Sequence, residues 1–202
     1  MPASADGTRE RLLDEATRLF AEHGIQGTTT RQITEAAQQR NASAVTYHFG
    51  SRDGLLRAVL ARQGGPIDDQ RGRRRDDLGE HPEVSALVRC LVVPWAASLE
   101  SPRGRGYVRI VDQLRGRFAT WRTESDAATT KHLIRILDEL ESHGGRPGPH
   151  ERERIVGMIV LLTGMTADRA RRIDDGVTAD LSHREFVETL CGMCAAVLTT
   201  RA

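Results

Sequence analysis

The chain has 202 residues, of which 39% are hydrophobic and only 4% aromatic. That is enough apolar material for one large domain or two small ones, and it excludes a chain too polar to fold. Charged residues make up 28% and nearly cancel to a net +1, so a nucleic-acid or membrane partner has to be met by a local patch, not by overall charge.

Period-2 runs of β-branched residues are almost absent. Apolar residues recur every three or four positions, which predicts an all-α fold. The N-terminal MPASADGTRERL lacks the basic and apolar regions of a secretory signal. Leu12, Leu13, Ala16, Leu19 and Phe20 form one stripe on a first helix, about 8–22. Gly24 closes it, where a left-handed residue is inexpensive. GIQGTTT is a turn, and Thr28 and Thr29 are suited to cap the next helix, RQITEAA, with Ile33, Ala36 and Ala37 on one face. QQRN interrupts the pattern. Asn41 or Ser43 can cap the short helix SAVTYHF, and Ser51 caps a fourth with Leu55, Leu56, Val59 and Leu60 at helical spacing.

GGP at 64–66 predicts a break. Residues 67–81 then predict a charged, exposed helical connector, with Asp69 four before Arg73. The Arg73-Arg74-Arg75 run is flanked by Asp68, Asp69, Asp76 and Asp77, which reads as a solvated face rather than a DNA patch. A further helix begins near Pro82 and carries Leu87, Val88, Leu91, Val92 and Trp95, with Pro94 expected to kink it. SPRGRG breaks it. Helices over about 104–121, 126–143, 150–173 and 183–199 complete the pattern, with the loop GGRPGP before the third of these.

Short helices with a tight turn between the second and third form a helix-turn-helix pattern over about 29–49. In that motif the second of the paired helices enters the major groove, and it needs small or polar side chains for close approach. Val45 and Phe49, four apart, are its anchor on the bundle. Ser43, Ala44, Thr46, Tyr47 and His48 are expected to face outward or sideways.

The sequence resembles the TetR family of transcriptional regulators. The similarity lies in A-x-x-L-F-x-x-x-G at 16–24, T-x-x-x-I-x-x-A-A at 29–37 and H-F-x-S-[KR]-x-x-L at 48–55. It departs from the family at QQRN, where a glycine is usual. It departs again at Thr46, where many members carry an aromatic and this chain places Tyr47 one residue later. The resemblance implies a DNA-binding domain over 6–63 and a larger helical ligand-binding and dimerisation domain over 64–202. It implies that His48 and Arg52, with Thr29 and Thr30 at the start of the second helix, grip the DNA backbone. Tyr47 is a candidate phosphate clamp in place of the family aromatic, and Arg31 is a further DNA-binding candidate. Bases fall to Arg40, Asn41, Ser43, Ala44 and Thr46. It further implies a ligand-responsive repressor, bound as a homodimer to a palindromic double-stranded operator. The last two helices would pair between subunits, helped by Gly157, Gly164, Gly192, Ala195 and Ala196. The effector pocket would draw on Leu91, Trp95, Leu114, Phe118, Trp121, Leu133, Leu137 and Met165, with Gln113 and His132 as polar anchors. That cast fits a small apolar or aromatic effector.

Two other readings compete. CGMC at 191–194 has redox or zinc spacing, so a helical thiol oxidoreductase using Cys191 and Cys194 is one alternative. The pair sits inside a helical pattern, and no second ligand pair completes a zinc site. Buried structural cysteines, no metal, no cofactor and no enzymatic activity are therefore expected. The other alternative is a helical interaction protein that does not bind DNA. The three cysteines, Cys90 included, suit a reducing compartment. No apolar run approaches the ~20 residues that span a bilayer, so the cytoplasm is the expected location, with no membrane partner.

Overall fold

The first helix, α1 (Ala5–His23), buries the stripe the sequence predicts. Leu12, Leu13, Ala16 and Phe20 are each at most 1% exposed. It stops at Gly24, whose φ of 82° is left-handed. The computed structural model describes residues 5–41, 43–115, 127–143 and 148–200. Its described elements are helical throughout. After α1 come α2 (Thr30–Ala36), α3 (Ala44–Phe49), α4 (Arg52–Asp76) and α5 (Val84–Ala96), which runs into a short 3-10 turn. Then follow α6 (Pro102–Leu114), α7 (Ala127–Ser142), α8 (Pro149–Asp174) and α9 (His183–Thr199).

Local chemistry sets most helix starts. Thr29 caps α2 by accepting from Gln32 N–H, and the Gln32 side chain returns a bond to the Thr29 N–H. Ser51 caps α4, Ser101 caps α6 and Ser182 caps α9 in the same way, each accepting from the amide three residues on. Pro102 and Pro149 occupy first helical positions, where a missing N–H costs nothing. SPRGRG therefore starts α6 rather than only ending the helix before it.

Two apolar cores result. One joins α1–α3 to the start of α4 and to Ile110 of α6. The other, larger core is built from α5, α7, α8, α9 and the adjoining faces of α4 and α6. The helix α4 belongs to both.

Two expectations fail here. GGP does not break the chain, because α4 runs without interruption across Gly64, Gly65 and Pro66. Its glycines provide clearance. A Cβ on Gly64 would lie 2.9 Å from the Tyr107 hydroxyl, and one on Gly72 would lie 2.6 Å from the His132 ring. Close packing against α6 and α7 offsets the backbone hydrogen bond that Pro66 cannot make. Nor is 67–81 an exposed connector. Ile67, Asp68, Arg71, Gly72 and Arg75 are all buried, with Arg75 Nε donating to Glu139 on α7 at 2.6 Å.

Candidate nucleic-acid interface

The helix α3 has only six residues, and it is held from below and at both ends. Val45 is 2% exposed and packs into the N-terminal core with Ala44. Phe49 is half-buried against the same core, and the Arg9 guanidinium lies 5.2 Å over its ring. At the entry, the Asn41 side chain accepts from Ser43 N–H at 2.9 Å, a local turn that sets the chain's approach. At the exit, Gly50 adopts φ 74° and bonds back to the Thr46 carbonyl.

The turn between α2 and α3 is made without glycine. Gln38 takes φ 55° and its N–H bonds to the Glu35 carbonyl, while Gln39 N–H bonds to the Thr34 carbonyl. A left-handed glutamine thus stands where the family resemblance expects a glycine.

The outward surface of this unit carries most of the residues named from the sequence. Thr29, Arg31, Arg40, Asn41, Ser43, Thr46 and Tyr47 are exposed, and Thr30 and His48 are half-buried. Tyr47 is 79% exposed, with the His48 ring edge-on at 4.9 Å. An exposed tyrosine with no packing role is unusual enough to indicate a contact surface. Arg31 is paired to Glu35 at 2.7 Å across open solvent. Such a pair contributes little and can exchange its partner freely.

Two named residues sit elsewhere. Ala44 is 6% exposed and belongs to the core, because it lies on the same inward face as Val45. Arg52 turns inward. Its Nε and Nη2 donate to the Thr28 carbonyl at 3.2 and 3.1 Å, Nη2 also donates to the Ile25 carbonyl, and the guanidinium lies 5.6 Å over the Phe20 ring. The side chain ties the α1–α2 turn to α4.

The described residues named for an effector pocket do not share one environment. Leu91, Trp95, Leu133 and Leu137 are buried in the larger core, with Met165 packed against it. Trp95 Nε1 donates to Thr166 Oγ1 at 2.7 Å. Gln113 and Leu114 lie at the junction with the N-terminal unit instead. Phe118 and Trp121 lie outside the described residues. A surface depression lined by Val84, Leu140, His143, Glu151, Arg154, Leu198 and Thr199 contains none of them.

Among the described residues, no group of three or more His, Cys, Asp or Glu could hold a metal ion, and no helix is long and apolar enough to cross a membrane. Cys90, Cys191 and Cys194 are buried free thiols, and burial raises all three above the ordinary value.

Comparison with known proteins places the N-terminal unit in a family. Residues 12–59 match the domain described as bacterial regulatory proteins, tetR family. The chain is 35% identical over 86 residues to the transcriptional repressor KstR2 of Rhodococcus jostii, covering 43% of this chain and 40% of that protein. It is 41% identical over 56 residues to the transcriptional repressor AcnR of Corynebacterium glutamicum, covering 28% and 29%. The matched stretch is thus less than half the length of either relative. The fold similarity extends further. The fatty acid degradation regulator FadR of Bacillus halodurans superposes with a TM-score of 0.60 at 16% identity, covering 96% of this chain and 97% of that one. A TetR family transcription regulator of Marinobacter aquaeolei does so with 0.61 at 17% identity, covering 95% of each. Residues 12–59 thus carry the domain of the tetR family of bacterial regulatory proteins, and the chain as a whole shares the fold of solved TetR family regulators.

Proposed function

We propose that the protein is a ligand-responsive transcriptional repressor that binds a palindromic operator as a homodimer. The observation that carries this reading is Tyr47, an aromatic ring held 79% exposed at the end of a six-residue helix whose other face is locked into the core. Around it, Thr29, Arg31, Arg40, Asn41, Ser43 and Thr46 supply donors to phosphates and base edges. Arg52 supports that surface by fixing the turn behind it. Ala44 contributes clearance at the helix start rather than a contact.

A second copy is suggested by the apolar faces of α8 and α9. Val156 and Val160, four apart on α8, are 40% and 44% exposed, and Met193 on α9 is 38% exposed. Gly192 beside it has open space where a Cβ would stand. Two heads related by a two-fold axis match an operator with two half-sites. The division into a DNA-binding unit over 6–63 and an effector and dimerisation unit over 64–202 belongs to this reading, with α4 as the shared element. The setting is the cytoplasm, and no catalytic role is assigned.

The test is binding to duplex DNA from upstream of the protein's own gene, followed by gel mobility shift across a salt series. Retarded complexes that weaken steeply as salt rises are expected. No complex at low salt with that DNA, and no half-site recovered by selection from random duplexes, would refute the reading.

A further inference from the structure

The face of α4 turned toward α6 and α7 carries a buried polar cluster that DNA binding does not use. Asp68 is 2% exposed, and its carboxylate accepts from the backbone N–H of His132 and of Leu133, each at 2.8 Å. Arg71, one turn further on, is 6% exposed. Its Nη1 lies 3.9 Å from Asp68 Oδ1, beyond hydrogen-bonding reach, and its buried Nε has no partner. The His132 ring presses against Gly72, and its buried Nδ1 is also without a partner. Tyr107 of α6 closes the group, its hydroxyl against Gly64 and its ring 5.5 Å from Trp95.

A buried guanidinium with unmet donors is destabilising until an acceptor reaches it. Asp68 does not fill that role in this arrangement, since its nearer oxygen stands 3.9 Å from Arg71 Nη1 and none reaches the Nε. Desolvation pushes the Arg71 guanidinium below its ordinary value, more than Tyr107 and Asp68 hold it up. The complement to the unpartnered Arg71 Nε is a compact, acceptor-rich anion, and a carboxylate has the geometry a guanidinium pairs best. The flanking side chains Ile67, Leu133 and Trp95 are apolar, so the remainder of the ligand is apolar too.

We propose that Arg71 and His132 are the recognition point for an effector consisting of a carboxylate on an apolar body, bound among α4, α6 and α7. The inference rests on the effector-responsive reading above only in treating that acid as the releasing signal. Binding itself can be measured without DNA.

The experiment uses the full chain, with benzoate and octanoate each compared with benzamide and octanamide, by thermal shift and calorimetry. At least one acid is expected to raise the melting temperature while its amide does not. Arg71→Met should weaken that acid roughly tenfold or more, the scale of one charge-assisted hydrogen bond. Should Arg71→Met fail to fold by circular dichroism, His132→Leu makes the same test, with the same loss expected. Equal shifts by acid and amide, no shift by either acid, or undiminished affinity in the folded variant would overturn the proposal. Mobility shifts run in parallel separate the two ideas. Operator binding without acid binding refutes the effector assignment alone, and acid binding without operator binding refutes the repressor reading alone.

Discussion

Gln113 on α6 and Ile25 in the turn after α1 are directly bonded. Gln113 Oε1 accepts from the Ile25 N–H at 2.7 Å, and its Nε2 donates to the Phe20 carbonyl at 2.9 Å. One amide thereby meets both a free carbonyl at the end of α1 and a buried amide just beyond it, joining the N-terminal unit to the last turn of α6. Gln113→Ala should cost about 1–3 kcal/mol in urea unfolding, because Ile25 N–H is left unpaired beside a side chain that is only 6% exposed. A variant with wild-type stability would show that the tie contributes nothing.

Arg52 and Tyr47 are expected to separate stability from DNA binding. Arg52 bonds to the carbonyls of Thr28 and Ile25 and covers Phe20. Arg52→Ala should therefore lower unfolding free energy by about 1.5–3 kcal/mol. Tyr47 makes no packing contact beyond the His48 edge, so Tyr47→Ala should change stability by no more than about 0.5 kcal/mol while weakening the mobility shift. Reversed effects, with Arg52→Ala stable and Tyr47→Ala unfolded, would reverse these assignments.

The left-handed Gln38 sets up a graded comparison. A non-glycine residue at φ 55° carries about 1 kcal/mol of strain. Gln38→Gly relieves it, but it also loosens the unfolded chain, so a small net gain of at most about 1 kcal/mol is expected. Gln38→Val places a β-branched side chain in the same conformation and should be destabilising by about 1–2 kcal/mol. The expected order of melting temperature is Gly, then Gln, then Val. Val equal to Gln would mean that the turn relaxes.

What the sequence made legible was chemistry acting over a few residues. The caps at Thr29 and Ser51, the stop at Gly24 and the anchor at Val45 follow from local rules, and each is where those rules put it. Contacts between distant segments were not legible. GGP at 64–66 reads as a break because nothing nearby in sequence announces Tyr107, whose side chain needs the space at Gly64, just as nothing near Gly72 announces His132. Asp68 and Arg71 sit in a run dense with charge, and composition alone gives such a run to solvent. Their burial depends on α7, some 64 residues away at the His132 amide. Ala44 and Arg52 differ from expectation for the same reason. Position in a motif gives the likeness, whereas the direction of a side chain is set by the neighbour it meets.

Two glycines on α4 should respond differently to the same substitution. A Cβ on Gly65 meets nothing within 4 Å apart from its chain neighbours. In helical backbone, however, it crowds the ring of Pro66, which offsets the usual helix preference, so Gly65→Ala should change stability by no more than about 0.5 kcal/mol. A Cβ on Gly72 falls 2.6 Å from the His132 ring, so Gly72→Ala should lose about 1–3 kcal/mol through forced repacking. Equal responses at both would mean that His132 swings away freely. That result would also weaken the case for a built site beside Arg71.

The three thiols make stability fall at high pH. Burial holds Cys194 up from an ordinary 9.0 to about 12, with the Cys191 charge adding to the effect, and burial likewise raises Cys90 and Cys191. Burial raises the Tyr107 hydroxyl from 10.0 to about 12. Each of these groups is neutral in the folded protein and ionises earlier in the unfolded chain. Below an ordinary thiol value both states are protonated and nothing is lost. Above it the unfolded chain binds fewer protons, so unfolding free energy falls with a limiting slope of about 1.4 kcal/mol per pH unit for each group, until the folded value is reached. Urea unfolding followed from about pH 7 to about pH 11 should therefore be flat and then decline. Cys194→Ala should show a shallower decline whatever its starting stability. In the native state at neutral pH, a disulfide-exchange reagent should modify the thiols slowly, and in denaturant it should modify all three at once. Rapid native modification of Cys191 or Cys194 would contradict their burial and restore the thiol oxidoreductase as a live alternative.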